Sequence, residues 1–162
     1  MQIASKAFIV TGAASGLGEA TARMIVNRGG SVIIADINPA GAALATTLGP
    51  AAHFIPTDVT SEADGFRAVT TAKEKFGALH GLVNCAGIAP SERIAGRNGP
   101  HSLETFTRTI TINLVGTFNM LRLAANAMTS NEPMADGERG IIVNTASVAA
   151  FEGQIGQAAY AA

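Results

Sequence analysis

A glycine-rich turn comes directly after the first apolar segment of the chain. Residues 11–18 read TGAASGLG and open a stretch with helical periodicity. Gly12 would permit a tight turn, Gly16 would let the backbone approach a pyrophosphate, and Gly18 would let the helix pack closely on the strand. The free N–H groups and the positive dipole end at the start of such a helix attract anions. The pattern therefore predicts a phosphate-binding turn. Its candidate residues are Gly12, Ser15, Gly16, Leu17 and Gly18.

A carboxylate stands at the end of the second predicted strand, 18 residues after Gly18. Asp36 could accept hydrogen bonds from the 2′- and 3′-hydroxyls of an adenosine ribose, and it would repel a 2′-phosphate. No Arg or Lys occurs at positions 37–38 or 13–14, so the sequence favours NAD over NADP as the cofactor. A glycine-rich turn that binds no ligand is the alternative interpretation of the same residues.

Five short segments rich in β-branched residues alternate with longer segments of helical period. This order is typical of a parallel sheet with helices on both faces. The predicted strands are 6–11, 31–36, 53–57, 79–84 and 140–145. We therefore predict one α/β dinucleotide-binding domain over residues 1–162, with a doubly wound, Rossmann-type parallel sheet.

The helices between these strands are predicted from spacing and from capping residues. Ser61 is a predicted N-cap, and Gly77 is predicted to end the helix that follows it. The longest helix is predicted to start near Ser102. A weaker, alanine-rich helix is predicted over 39–48, and two loops over 89–100 and 130–140. The first helix is predicted to place Leu17, Ala20, Met24 and Ile25 on one face. The longest helix places Leu103, Phe106, Ile110, Leu114, Phe118, Leu121 and Ala125 three or four residues apart.

The composition argues against several function classes. Lys and Arg number 11 and Asp and Glu number 12, which gives a net charge of −1 and argues against nucleic-acid and polybasic membrane binding. Apolar runs are too short for a membrane span, and no secretory signal is evident at the N-terminus. Cys85 is the single cysteine and the three histidines have no metal-ligand spacing, so we expect no metal site. We expect a cytoplasmic protein.

Several motifs together resemble the short-chain dehydrogenase/reductase family over the whole chain. The first turn has the spacing Thr-Gly-x-x-x-Gly-x-Gly, residues 84–87 read NCAG, residues 113–116 read NLVG, and Ser147 and Tyr160 stand 13 apart. The resemblance implies that Asp58 and Val59 lie near the adenine of NAD. It also implies that Asn84, Ala86 and Gly87 line the adenosine and ribose side of the cofactor site.

The same resemblance suggests roles in catalysis. Tyr160 would be the acid/base and Ser147 would hydrogen-bond the substrate oxygen. Asn113 would hold a water of the proton relay, and Gln154 is a weaker candidate for a substrate contact. Other interpretations stay open: Asn113 as a structural tie, Ser147 as an ordinary turn residue and Tyr160 as a packing aromatic. For Cys85, a small hydrophobic residue fits better than a nucleophile.

A narrower resemblance, to the type-2 3-hydroxyacyl-CoA dehydrogenase branch, rests on residues 131–133 and 139–154. It implies NAD-linked, reversible oxidation of a 3-hydroxyacyl-CoA in fatty acid metabolism, or of other secondary alcohols, by a homotetramer. Two alternatives stay open. One is a non-catalytic NAD-binding fragment or pseudoenzyme. The other is a 3-oxoacyl-carrier-protein reductase, against which Asp36 counts because such enzymes usually prefer NADP.

One element of the family pattern falls outside the sequence. The pattern Tyr-x-x-x-Lys places a lysine four positions after Tyr160, beyond Ala162. A phenol is a poor base at neutral pH and needs a neighbouring cation to stabilise its phenolate. We therefore expect that the sequence is truncated, that its fifth strand has an unpaired edge, and that the longest helix lacks a neighbour. We also expect little dehydrogenase activity from these 162 residues alone.

Overall fold

The computed structural model describes residues 2–97 and 99–162, and its central feature is a five-stranded parallel sheet. The strands are β1 (Ala7–Thr11), β2 (Ser31–Asp36), β3 (Ala52–Pro56), β4 (Gly81–Asn84) and β5 (Ile141–Asn144). Their spatial order is β3-β2-β1-β4-β5. This confirms the predicted doubly wound α/β fold, and each strand begins within two residues of its predicted start.

Strands β1 and β2 lie inside the sheet and are buried on both of its faces. Ile9 and Ile33 belong to a core cluster on one face, whereas Phe8 and Val10 belong to a cluster on the other. Parallel strands covered on both sides need such continuous apolar runs because neither face is exposed to water. The sheet therefore forms a rigid platform, and its strand ends fix where the following residues lie.

Helices cover the sheet on both faces. On one side lie α1 (Gly16–Asn27) and α2 (Ala40–Leu48). On the other lie α3 (Glu62–Phe76) and the long helix described below. The hydroxyl of Ser61 accepts a hydrogen bond from the Asp64 amide at 3.2 Å, which confirms Ser61 as the N-cap of α3. In α1 the predicted apolar face is wrong in part, because Ile25 is buried but Leu17 is 70% exposed.

The long helix is continuous but changes its type in the middle. It consists of α4 (Leu103–Ile110), a π-helical segment (Thr111–Gly116) and α5 (Thr117–Met128). The helix begins next to Ser102, as predicted, and Ser102 is its N-cap, with its hydroxyl accepting from the Thr105 amide at 3.2 Å. Leu114 and Phe118 are each 60% exposed, while Asn119, Met120 and Leu123 are buried. The helix therefore packs on the sheet through a face that joins polar to apolar residues and leaves its most apolar side exposed.

The rest of the chain comprises the loop between β4 and the long helix, the 3₁₀ turn after β5 and one short helix. The predicted loop over 89–100 contains a two-residue antiparallel pair, Ala95–Gly96 with Gly99–Pro100. After β5 comes a 3₁₀ turn (Val148–Ala150) and then α6 (Ala158–Ala161). None of the helices in the described part of the chain has the length and apolar character of a transmembrane span.

Candidate cofactor and active site

A cleft of about 1080 Å³ opens at the carboxyl ends of the strands, where β1 and β4 lie side by side. In doubly wound sheets the strand order reverses direction at such a place, and the crevice there is where ligands bind. The walls come from the turn after β1, the segments after β2, β3 and β4, and helix α4 with the start of the π-helical segment. They include the predicted residues Gly12, Ser15, Gly16, Leu17, Gly18, Asp36, Asp58, Val59, Ala86 and Gly87.

The glycine turn brings backbone against backbone at the base of the cleft. Gly12 has φ 62°, and a Cβ atom there would lie 2.8 Å from the Cα of Ala86. A Cβ atom on Gly18 would overlap the carbonyl oxygen of Gly12. Ser15 is the N-cap of α1 but makes no capping hydrogen bond, so the first N–H groups of α1 stay available to a ligand. The turn therefore has the shape and the polarity of a phosphate cradle.

Asp36 links the glycine turn to the chain that follows β2. Its Oδ2 accepts a hydrogen bond from the Ala14 amide at 2.9 Å, and its Oδ1 accepts from the Asn38 amide at 2.8 Å. Each carboxylate oxygen has more than one lone pair and can accept again. The carboxylate is thus held in place by main-chain donors on the cleft wall, where it can still accept hydrogen bonds from hydroxyl groups.

The segment after β3 is fixed by a network of side chains. Asp58 accepts from both the amide and the hydroxyl of Thr60, at 2.9 and 2.8 Å. The Asp58 amide donates to Asp64, and this bond is the largest cause that lowers the pKa of the Asp64 carboxyl; the Arg67 guanidinium lowers it further. Buried Asn119 donates to the carbonyl oxygen of Val59 at 2.8 Å. The Asp58–Val59 part of the wall is therefore held from both sides.

Asn84, which the family resemblance implies for the cofactor site, is buried beside the cleft rather than on its wall. Its amide group donates to Oδ1 of Asn144 at 2.9 Å, and its Oδ1 accepts from the hydroxyl of Thr11 at 3.4 Å. Thr11 Oγ1 also accepts from the amides of Cys85 and Ala86, each at 3.1 Å. These bonds join the ends of β1, β4 and β5, so Asn84 acts on the cleft through its neighbours.

Asn113 lies in the π-helical segment and holds the chain that follows β4. Its Oδ1 accepts from the Ile88 amide at 2.9 Å, and its Nδ2 donates to the Ile88 carbonyl at 2.8 Å. A Cβ atom on Gly87 would lie 3.3 Å from Asn113 Oδ1. The structural tie left open from the sequence is therefore present, and it fixes two residues of the cleft wall, Gly87 and Ile88.

Ser147, Tyr160 and Gln154 do not line this cleft. Ser147 is the N-cap of the 3₁₀ turn after β5, and its hydroxyl accepts from the Ala149 amide at 3.2 Å. Tyr160 is half-buried in α6, which packs against α4 and against that 3₁₀ turn. Gln154 lines a separate depression of about 320 Å³ between residues 93–95 and 153–161. The fold brings the elements of Ser147 and Tyr160 into contact with each other beside α4.

Sequence reasoning missed several residues of the cleft wall. Thr57 and Thr60 come from the chain after β3, and Ile37 follows Asp36 directly. From α4 and the π-helical segment come Leu103, Glu104, Thr107, Arg108, Thr111 and Ile112. The available signal for the first three was their place after a strand end. The helical residues carried no such signal, because the sequence does not show where the helix docks on the sheet.

The remaining chemistry-bearing side chains form no second centre in the part of the chain that the structure describes. Cys85 is half-buried, and its sulfur accepts a hydrogen bond from the Thr145 hydroxyl at 3.6 Å. No group of three His, Cys, Asp or Glu side chains with metal-binding geometry occurs among residues 2–97 and 99–162. The chemistry of this region therefore centres on anion and hydroxyl binding in the cleft.

Comparisons with known proteins agree with this geometry. A family model described as short chain dehydrogenase matches residues 6–162. The 3-hydroxyacyl-CoA dehydrogenase type-2 of Drosophila melanogaster is 55% identical over 157 residues, which cover 95% of this chain and 62% of that protein. The enzyme of the same name from Homo sapiens is 51% identical over 157 residues, 95% of this chain and 60% of that protein.

A solved structure matches the fold closely. The crystal structure of 3-hydroxyacyl-CoA dehydrogenase type-2 from Mycobacterium avium has a TM-score of 0.93 and 44% sequence identity, covering 99% of this chain and 65% of that one. The chain thus spans about three-fifths of the length of the curated relatives that it matches.

Proposed function

Because the chain belongs to the short chain dehydrogenase family, we propose that the protein is an NAD-dependent oxidoreductase that interconverts a secondary alcohol and a ketone. The observation that carries the proposal is the cleft, where a glycine cradle at the start of α1 and the carboxylate of Asp36 lie on one wall. In this fold a glycine cradle binds the pyrophosphate of a dinucleotide, and a carboxylate near the end of the second strand binds its adenosine ribose. We propose 3-hydroxyacyl-CoA and 3-oxoacyl-CoA as the alcohol and the ketone.

The residues present fit a dinucleotide. A Cβ atom at Gly12 or Gly18 would collide with neighbouring backbone, so the turn is built for close approach. We propose that residues 12–18 hold the pyrophosphate, that Asp36 holds the adenosine ribose, and that Asp58, Val59, Ala86 and Gly87 line the adenosine side. When bound, NAD supplies the hydride acceptor and NADH the hydride donor. Asp36 favours NAD over NADP because a 2′-phosphate would lie against its negative charge.

The chain's own residues would handle the proton and the substrate oxygen. We propose that the Tyr160 phenolate takes the proton from the alcohol, and that in the reverse direction the Tyr160 phenol returns it to the ketone oxygen. The Ser147 hydroxyl would donate a hydrogen bond to the same oxygen and stabilise its developing negative charge. Asn113 would hold a water of the proton relay in addition to its bonds to Ile88, and Gln154 would contact the substrate.

The substrate class is supported by the relatives. Several are named 3-hydroxyacyl-CoA dehydrogenase type-2, at 50–55% identity to this chain. We further propose a homotetramer in the cytoplasm. The exposed apolar side of the long helix, which includes Leu114 and Phe118, supports self-association. A particle mass of four chains by light scattering is the expected result, and a monomer at micromolar concentration would contradict it.

The test is the reduction of acetoacetyl-CoA by NADH in the complete gene product. We expect turnover that falls by about 10²–10⁴-fold in Tyr160→Phe and by about 10²–10³-fold in Ser147→Ala. Both variants should bind NADH as the wild type does, because neither residue lines the cofactor cleft.

Three outcomes separate this proposal from its alternatives. NADH binding with no turnover of any secondary alcohol would indicate a non-catalytic dinucleotide-binding protein. Faster turnover of an acyl-carrier-protein thioester with NADPH would indicate the carrier-protein reductase. Equal rates in the wild type and Tyr160→Phe would exclude Tyr160 as the acid/base.

A further inference from the structure

The segment between β4 and α4 contacts the chain that leads into α6. The Glu92 amide donates a hydrogen bond to the carbonyl oxygen of Gly156 at 2.8 Å, and Glu92 pairs with Gln157 in an isolated parallel bridge. The approach is close, since a Cβ atom on Gly156 would lie 2.8 Å from Oγ of Ser91. Two stretches that are more than sixty residues apart in sequence therefore meet at this point.

The side chain of Glu92 fixes the same residue to the start of the long helix. Its Oε1 accepts a hydrogen bond from the Ser102 amide at 2.8 Å, and Ser102 is the N-cap of α4. Its Oε2 lies 3.7 Å from Nδ1 of His101. A carboxylate at a helix N-terminus is favoured by the helix dipole as well as by the hydrogen bond. Glu92 thus holds α4 with its side chain and the loop at Gly156 with its backbone.

The loop at Gly156 leads directly into α6, the helix that contains Tyr160. Gln157 is the N-cap of α6, and its carbonyl oxygen accepts from the Ala161 amide at 2.8 Å. Beyond that hydrogen bond, α6 contacts the 3₁₀ turn that follows β5. Its place is set by packing against α4 and by the anchored residues before it.

We propose that Glu92 is a positioning residue for Tyr160: it ties the start of α4 to the loop at Gly156 and so fixes the orientation of α6. The catalytic part of this inference rests on the proposed function, whereas the structural part does not. Glu92 lies outside the cofactor cleft, so its role is to place the acid/base and not to bind the dinucleotide.

The experiment compares Glu92→Ala, Glu92→Gln and the control Glu74→Ala, which removes an exposed carboxylate from α3. All three are made in the complete gene product. We would measure three quantities for each variant: hydrogen exchange of the peptide 153–162, kcat for the reduction of acetoacetyl-CoA, and the affinity for NADH. In Glu92→Ala the backbone bond to Gly156 remains, but the side-chain bond to the Ser102 amide is lost, so residue 92 holds the loop at Gly156 less firmly. We therefore expect about three- to tenfold faster exchange. We expect kcat to fall about tenfold or more through misplacement of the phenol.

NADH affinity in Glu92→Ala should stay within about twofold, since Glu92 itself does not line the cofactor cleft. Glu92→Gln keeps an acceptor for the Ser102 amide and should restore both exchange and kcat, and Glu74→Ala should match the wild type. Unchanged exchange in Glu92→Ala overturns the proposal, as does an equal loss in Glu92→Gln or a parallel loss of NADH binding. If the wild type itself lacks turnover, the proposed function fails, and the exchange data still decide the anchoring role of Glu92.

Discussion

Single polar side chains at the strand ends hold most of the cleft wall in place. Asp36, Thr11 and Asn113 each bond to main-chain groups of a neighbouring segment. The bonds of Thr11 and Asn113 fix Ala86 and Ile88 on the cleft wall, and Asp36 is itself a wall residue. The free energy of such a bond is modest when it is made, but a buried partner left without it is destabilised. Residues that were predicted to touch a ligand therefore also shape the site in the absence of one.

Asp36 should control the choice between NADH and NADPH. In Asp36→Asn we expect the ratio of NADPH affinity to NADH affinity to rise about tenfold or more, because the repulsion of a 2′-phosphate is removed. Titration of each dinucleotide by fluorescence measures the two dissociation constants. Glu104→Gln is the matched control, since it removes one carboxylate from another wall of the same cleft. An equal change of the ratio in both variants would show a general charge effect, and Asp36 would not be the specificity residue.

At the scale of elements, the site depends on how the strands and the long helix are joined. Thr11 connects the end of β1 to the start of the segment after β4, and Asn119 connects α5 to the segment after β3. Gly116 allows the helix to approach closely, because a Cβ atom there would lie 2.5 Å from Val59 Cγ2. The helix face that carries these contacts contains an amide and a glycine, whereas Leu114 and Phe118 lie on an exposed side of the helix.

Thr11→Val should weaken this connection between β1 and β4. Thr11 is 1% exposed, and valine has the same shape without the oxygen that accepts from the Cys85 and Ala86 amides. We expect the free energy of unfolding to fall by about 1–2 kcal/mol, as two partly buried N–H groups lose their acceptor. Urea unfolding gives this value.

Thr11→Ser is the control for the Thr11 hydroxyl. It keeps the oxygen and removes only a methyl group, so the expected loss is about 1 kcal/mol. If the valine variant is at least as stable as the serine variant, the hydroxyl does not hold β1 to β4.

For the whole molecule, the two edges of the sheet have different roles. The carboxyl edge carries the cleft, while the amino edge carries a histidine that joins three strands. His80 Nδ1 accepts from the Ala7 amide at 3.1 Å, its own amide donates to Ala7, and its carbonyl accepts from Ile141. Because Nδ1 is an acceptor, this arrangement requires the neutral ring. Burial, followed by the charge of Lys6, lowers the pKa of His80 below its ordinary value of 6.5.

Stability should therefore decrease as the pH falls below about 6.5. A lowered pKa in the folded state means that the unfolded chain binds more protons in this range, so the free energy of unfolding rises with pH. His53 has a pKa lowered in the same direction, first by burial and then by Lys75, and adds to the effect. Thermal unfolding between pH 7.5 and pH 5 measures the slope.

His80→Asn should flatten that slope, because an amide oxygen can accept from Ala7 but does not titrate in this range. At pH 7.5 the variant and the wild type should be similar in stability, which serves as the internal control. Equal slopes in the two proteins would show that His80 is not the group that titrates.

The local structure of this protein, its strands, helix starts and first turn, could be predicted from the amino-acid sequence. The strand positions, the N-cap at Ser61, the helix start near Ser102 and the glycine turn follow from periodicity and from backbone preferences within a few residues. Asp36 could be predicted to lie at the cleft because a strand end and a glycine turn at a known spacing restrict where a carboxylate lies.

Contacts between segments that are distant in sequence could be seen in the tertiary structure alone. The bonds from Thr11 to Asn84, from Asn113 to Ile88 and from Asn119 to Val59 join residues 73, 25 and 60 positions apart. Glu92 and Gly156 are another such pair. A polar side chain has no local signal for a distant main-chain partner, because that partner is set by how helices dock and strands are ordered. For this reason the sequence indicated the ligand-facing groups of the cleft, and the fold revealed the residues that hold them.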